Sequence, residues 1–327
     1  MLESTQVNDQ VLLDVRGITK DFTIGNNLLR GVGRSTHVMR AVNNVSFTIN
    51  RGEVVGLVGE SGCGKSTSAL MILRLLKTTY GTIHYRGKEI KSFGGSELIA
   101  FRRQVQMVFQ DSHSALNPRK VVRRTLQEAL RARYGRGTDV EESAIELLHA
   151  AGLGSEVLSR YPHELSGGQR QRIGIARAMA MEPEFIVADE PVSSLDVSLQ
   201  AQIINIFQLL REERGLTIML ISHDLALVNF LCNRVLVMYA GEVVESGDSE
   251  HVMKHAVHPY TQALIGAVPR GIAGRGRRPT ALAGTSEVLG NGCSFAPRCR
   301  VATQLCQEIA PKIRVIADGH SAACHLL

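Results

Sequence analysis

The sequence predicts an α/β fold built on a mostly parallel sheet, and three observations carry that prediction. From residue 170 onward, helices and apolar strands alternate: helix 170–181, strand 185–189, helix 199–213, strand 217–222, helix 224–231. Such alternation is what a parallel sheet with covering helices requires. The nearly continuous apolar run 53–59 (EVVGLVG) reads as a strand buried on both faces, and a helix follows from about Lys65 to about Leu76. Residues 111–165 hold helical stretches at about 121–133 and 140–151 with few strand signals, so a helical subdomain is inserted there.

The remaining elements follow in order. Residues 11–24 (VLLDVRGITKDFTI) read as a strand, a turn and a second strand, and 25–37, rich in Gly, Asn and Arg, as a loop. Residues 41–50 (AVNNVSFTIN) alternate apolar and polar, as a half-buried strand does. TIHYRG (82–87) and VQMVFQ (105–110) read as short strands. RVLVMYAGEVVESG (234–247) predicts a hairpin turning at Ala240-Gly241, and a helix follows His258-Pro259 to about Val268. Residues 269–290 read as a Gly/Arg-rich linker. The domain limits are set at 11–257 for the main body and 258–327 for a C-terminal extension with four cysteines.

Composition narrows the class. The chain has 327 residues, 44% hydrophobic and 21% charged, near a soluble globular average, which excludes disorder as the main state. The longest apolar runs are strand-length, far short of the roughly 20 residues of a spanning helix. The N-terminal MLESTQVNDQ has no signal-type apolar stretch, so the chain reads as cytosolic. A formal net charge of +6 permits contact with phosphates or acidic surfaces without demanding nucleic acid.

The chemistry concentrates in two places. Gly59-Glu60-Ser61-Gly62-Cys63-Gly64-Lys65-Ser66, followed by Thr67, fits the phosphate-loop pattern G-x-x-x-x-G-K-[ST] and lies between a strand and a helix. Its glycines (Gly59, Gly62, Gly64) let amides turn inward around an anion, Lys65 reaches the β and γ phosphates, and Ser66 ligates Mg²⁺. Cys63 occupies a variable loop position and is a candidate for thiol modification. Further on, the apolar strand Phe185–Ala188 ends in Asp189-Glu190. Asp189 is suited to hold Mg²⁺ through water and Glu190 to polarise the attacking water.

With these in place, Leu165-Ser166-Gly167-Gly168-Gln169, about twenty residues before the carboxylates, resembles the signature motif of ATP-binding cassette (ABC) ATPases. Gln110 resembles the Q-loop glutamine that contacts Mg²⁺, Ser194-Leu195-Asp196 the D-loop, His223 the switch histidine, and Phe22 the aromatic residue that stacks on adenine. The resemblance covers about residues 11–250. It implies an ABC-type nucleotide-binding domain: a RecA-like phosphate-loop core, an antiparallel β subdomain and the helical insertion. It further implies a head-to-tail pair of cassettes in which Ser166 and its glycines face the γ-phosphate held by the other subunit's Lys65. Glu190, His223 and Gln110 then form the catalytic set, and Asp196 links the two sites.

The tail adds Cys293, Cys299, Cys306 and Cys324 at spacing C-x5-C-x6-C-x17-C. Structural zinc sites use tighter pairs, and thiolates alone suit zinc or an iron–sulfur cluster equally. GC-x-F-x-x-RC (292–299) together with His258-Pro259-Tyr260-Thr261 resembles the C-terminal extension of oligopeptide and dipeptide importer ATPases, as does the stretch Asp111-Ser112 to Leu116-Asn117-Pro118-Arg119. That resemblance implies a [4Fe–4S] cluster on the four cysteines. It also implies a second ATPase subunit, two transmembrane permease subunits, a substrate-binding protein and a place on the cytoplasmic face of the membrane. Residues 281–292 depart from it in lacking the prolines usual before the first cysteine. The competing class, a cassette ATPase acting on nucleic acid, is disfavoured: the chain has no Trp and only 5% aromatics, and no sustained heptads separate the motifs.

Overall fold

A computed structural model describes residues 10–24, 37–110, 116–135, 137–193, 195–267 and 291–327. The linker 269–290, most of the loop 25–37, Asp111-Ser112 and Ser194 lie outside the described residues. In chain order the strands are β1 (Val11–Ile24), β2 (His37–Asn50), β3 (Val54–Val58), β4 (Tyr80–Tyr85), β5 (Lys88–Glu89), β6 (Val105–Val108), β7 (Phe185–Asp189), β8 (Thr217–Ser222), β9 (Arg234–Tyr239), β10 (Glu242–Asp248), β11 (Arg314–Ala317) and β12 (His320–Ala322). The helices are α1 (Lys65–Ile72), α2 (Gly95–Gln104), α3 (Val122–Tyr134), α4 (Glu141–Ala150), α5 (Gly167–Met179), α6 (Val197–Arg214), α7 (Leu225–Leu231), α8 (Ser249–His255), α9 (Pro259–Gly266) and α10 (Gln304–Glu308). The chain forms two compact units, one from the described parts of 1–50, 55–92 and 223–327, the other from those of 51–54 and 93–222.

The first unit contains a four-stranded antiparallel sheet in the order β2-β1-β4-β5. Here the expectation of two strands in 11–24 is corrected. β1 runs unbroken for 14 residues, and Gly17, at φ +56, sits in a register shift between Val15 and Ile18. The glycine is a bulge, not a turn, because β2 pairs along the whole length of β1 and the Gly17 amide donates to Ser46 Oγ at 2.8 Å.

The same unit pairs β3 parallel to β9, folds β9 back on β10, and adds β12 and then β11. The hairpin turns at the expected Ala240-Gly241, with φ +45 and +87. The tail strands were not legible in sequence: β11 is exposed at all four positions, so it carries no alternation. What anchors the tail is Glu245 on β10, fully buried. Its carboxylate accepts from the Val257 amide (2.8 Å) and the His258 amide (3.2 Å), and pairs with His320 Nε2 (2.9 Å). A buried carboxylate persists only with such partners. Burial also lowers His258 to about pKa 4, against a smaller opposing pull from Glu245, and its Nδ1 accepts the Tyr260 amide at the start of α9.

The second unit holds the parallel run β6-β7-β8, with β7 and β8 buried at every position. Its helical part closes on an apolar core. On α3, Val122, Leu126 and Leu130 recur every four residues and face Ala144 and Leu148 of α4 and Ile173 and Ala176 of α5. Full burial of a side chain such as Leu126 contributes roughly 1.5–3 kcal/mol.

Candidate functional site: the phosphate loop, the Gln110–Glu190 pair and the signature helix

Each part of the phosphate loop has a local cause. Gly59 (φ +155) and Gly64 (φ +104) take conformations that side chains resist, and a Cβ at these positions would stand 2.1 Å from the Met238 carbonyl oxygen and 2.3 Å from the Ala41 carbonyl oxygen. Gly62, at φ +80, meets only the conformational requirement. Gly64 is the N-cap of α1 and supplies no side-chain cap, and the first turn has no acidic residue. The N-terminal amides of α1 therefore lack the usual internal competitor for an anion. Lys65 is only 5% exposed, and its ammonium donates to the carbonyls of Gly59 (2.7 Å) and Glu60 (2.8 Å). Ser61 and Ser66 are exposed at the loop and Thr67 is half-buried. Cys63, in contrast to its reading as a modifiable position, is buried. Burial pushes its thiol up against the smaller opposing pull of Lys65, so little nucleophilic thiolate forms.

In the second unit two predicted residues meet. Gln110, two positions beyond β6, donates from Nε2 to Glu190 Oε2 at 2.6 Å. Glu190 follows β7 directly, at φ +43, a strained setting for a non-glycine residue. Its amide donates to the Ile221 carbonyl at 2.9 Å, which ties it to the end of β8. Asp189, the last residue of β7, is buried.

The signature segment forms a capping box. Ser166 Oγ accepts from the Gln169 amide (3.2 Å), and Gln169 Oε1 accepts from the Ser166 amide (2.9 Å), at the start of α5. A Cβ on Gly167 would make only ordinary contacts, 3.8 Å from Leu195 Cδ2 and 3.9 Å from Arg170 Nη2, whereas one on Gly168 would stand 2.7 Å from Leu199 Cδ1, so a side chain there would displace Leu199 where α5 meets α6. Gln171, which sequence reasoning passed over, is buried, and its Nε2 donates to the Phe109 carbonyl at 3.2 Å, beside Gln110. Only its place two residues after the signature hinted at this. Asp196 caps α6, accepting from the Leu199 amide (2.9 Å) and Ser198 Oγ (2.8 Å), and these bonds lower its pKa.

In the first unit, Phe22 lies half-buried on β1 opposite Met39, with Lys20 Nζ 5.2 Å from its ring centre. His223 is exposed, immediately before Asp224 caps α7 through the Ala226 and Leu227 amides.

The tail brings its cysteines into one neighbourhood. The Cys293 amide donates to the Cys306 carbonyl at 2.7 Å, and Gly292 passes so close that a Cβ there would meet the Gln307 carbonyl oxygen at 2.4 Å. Burial raises the Cys293 and Cys299 thiols. Smaller electrostatic contributions come from Cys306 on both, from Cys299 on Cys293, and from Cys324 on Cys299. Among the described residues, no group of three or more His, Cys, Asp or Glu is arranged to hold a metal ion. The implied cluster therefore has a donor set here but no ready-made metal site.

Comparison with known proteins agrees with this geometry. Residues 42–193 match the ABC transporter family model, and residues 244–306 match the C-terminal region of oligopeptide/dipeptide transporters. The chain is 43% identical to the oligopeptide transport ATP-binding protein AppF of Bacillus subtilis, over 98% of this chain and 99% of the relative. It is also 43% identical to the probable peptide ABC transporter ATP-binding protein y4tS of Sinorhizobium fredii, over 96% and 90%. Among solved structures it resembles the dimeric bacterial ABC transporter cassette MJ0796, with TM-score 0.65 and 30% identity over 73% of this chain and 99% of that one. A post-hydrolysis dimer of the same cassette bound to ADP and phosphate matches with TM-score 0.64 and 29% identity, again over 73% of this chain and 99% of that one. With the phosphate loop, the strand-end carboxylates and the capped signature helix in one chain, the protein belongs to the ATP-binding subunits of ABC transporters, in the branch that carries the oligopeptide/dipeptide C-terminal region.

Proposed function

We propose that this chain binds and hydrolyses ATP to energise import of di- or oligopeptides, or of a related small solute, by a membrane permease. The observation that carries the hydrolytic part is the Gln110–Glu190 hydrogen bond. It fixes the Glu190 carboxylate at the end of β7, oriented to act as proton acceptor for water. Lys65 exchanges its two carbonyl partners for phosphate oxygens, and the amides of residues 62–66 hold the remaining phosphate charge. Ser66, Gln110 and Asp189 are hard oxygen donors of the kind Mg²⁺ takes. The Gln110 amide oxygen is the end of that side chain not used toward Glu190. The ion, when bound, neutralises charge on the β and γ phosphates. Phe22 stacks on adenine, and His223 contacts the γ-phosphate.

Ser166, Gly167, Gly168, Gln169 and Asp196 act on the nucleotide of a second ATPase subunit, in a head-to-tail pair. Two permease subunits and a substrate-binding protein complete the assembly at the cytoplasmic face of the membrane. Among the described residues no helix is long and apolar enough to cross a membrane, which accords with attachment through the permease.

Because each site needs both subunits, ATP hydrolysis by the purified chain is expected to rise more steeply than linearly with protein concentration in the dilute range. A strictly linear dependence down to the lowest measurable concentration rejects the shared site. We also propose a [4Fe–4S] cluster on Cys293, Cys299, Cys306 and Cys324, supported by four thiols in one electrostatic neighbourhood. Anaerobic purification is expected to yield about four iron atoms per chain. Zinc, or no metal, rejects it.

A further inference from the structure

The phosphate loop is gripped from outside by the C-terminal extension. Arg298, in the tail beside Cys299, reaches back 238 positions to Glu60, the second residue of the loop. The contact is a two-point fork: Nη1 to Oε2 at 2.7 Å and Nη2 to Oε1 at 2.9 Å. The Arg298 side chain is only 7% exposed, against 34% for Glu60. Its guanidinium lies 5.8 Å from the ring centre of Tyr239. Tyr239, Tyr260 and Phe295 pack with ring centres 4.6 to 5.5 Å apart, and all are buried. From this cluster the Tyr260 hydroxyl accepts the Glu60 amide at 2.9 Å. Glu60 is thus held at its amide by the tail, at its carboxylate by the tail, and at its carbonyl by Lys65.

Glu60 places a negative charge in a loop built for a triphosphate, where like charge opposes binding. The Arg298 fork cancels that charge and fixes where the loop begins. We propose that Arg298 and Tyr260 are positioning residues for the nucleotide, so that the C-terminal extension sets ATP affinity through Glu60. The proposal rests on the reading that residues 59–66 hold the phosphates of ATP.

The test is titration of the full chain with a trinitrophenyl-ATP probe and Mg²⁺, beside melting curves without nucleotide. Arg298→Ala leaves the Glu60 charge uncompensated and is expected to weaken binding by about tenfold or more. Arg298→Lys keeps the charge without the fork and falls between. Glu60→Gln removes the loop's negative charge together with the fork, so it is expected to bind more tightly than Arg298→Ala. The combined Arg298→Ala/Glu60→Gln variant recovers most of the loss, which simple detachment of the tail does not permit. Unchanged affinity in Arg298→Ala, or no recovery in the double variant, overturns the proposal. If Arg298→Ala does not fold, parental affinity in Arg298→Lys overturns it instead. Loss of the phosphate-loop reading looks different: parent and Lys65→Met then bind the probe alike.

Discussion

Replacing Glu190 by Gln is expected to lower ATP turnover by roughly 10²–10⁴-fold while leaving ATP binding intact, the size expected for loss of a general base. The structure makes this a clean substitution. Gln110 donates to Glu190 Oε2, and a glutamine can accept that bond through its own amide oxygen. The Glu190 amide keeps its bond to Ile221, so the strained φ of +43 is retained. Only the ability to take a proton from water is removed. On the proposed head-to-tail pairing, in which hydrolysis releases the closed pair, the variant is also expected to accumulate as an ATP-bound dimer. Single-turnover hydrolysis and size-exclusion with and without ATP read both effects. Parental turnover in this variant assigns the base elsewhere.

Lys65→Met is expected to weaken ATP binding by roughly 10–100-fold, as the loss of charge-assisted hydrogen bonds of about 1.5–3 kcal/mol implies. The Lys65 stem is buried, so methionine fills most of its volume, and the stability cost is small beside the loss of charge. The substitution also frees the Gly59 and Glu60 carbonyls, which the ammonium now occupies. Equilibrium binding measured together with a nucleotide-free melting curve separates the two effects. Affinity within threefold of the parent, at unchanged melting temperature, removes Lys65 from phosphate binding.

Much of this was legible along the chain, because the relevant chemistry is local. The phosphate loop declares itself through glycines that the backbone requires within a few residues of Lys65, and β7 through apolar residues ending in two carboxylates. The helical insertion is visible because Val122, Leu126 and Leu130 repeat with the helix period. Short or exposed elements were not legible. Helix α2 has one buried residue, Phe101, and so shows no stripe, and β11 shows no alternation. The turn expected within residues 11–24 is instead a bulge at Gly17, formed because β2 pairs past it.

Residue types and spacings carry the family and the nucleotide chemistry, since a phosphate loop, a signature cap and strand-end carboxylates each work through neighbours a few positions away. Tertiary structure alone decides which distant groups meet. Gln110 and Glu190 are 80 positions apart and Arg298 and Glu60 are 238 apart, and nothing in local pattern pairs them. Their partners are chosen by strand pairing and burial. β7 lies beside β6 in parallel register, so Glu190, one residue past β7, emerges next to Gln110. The tail strand β12 docks on β10, and the buried aromatic cluster draws Arg298 to the loop.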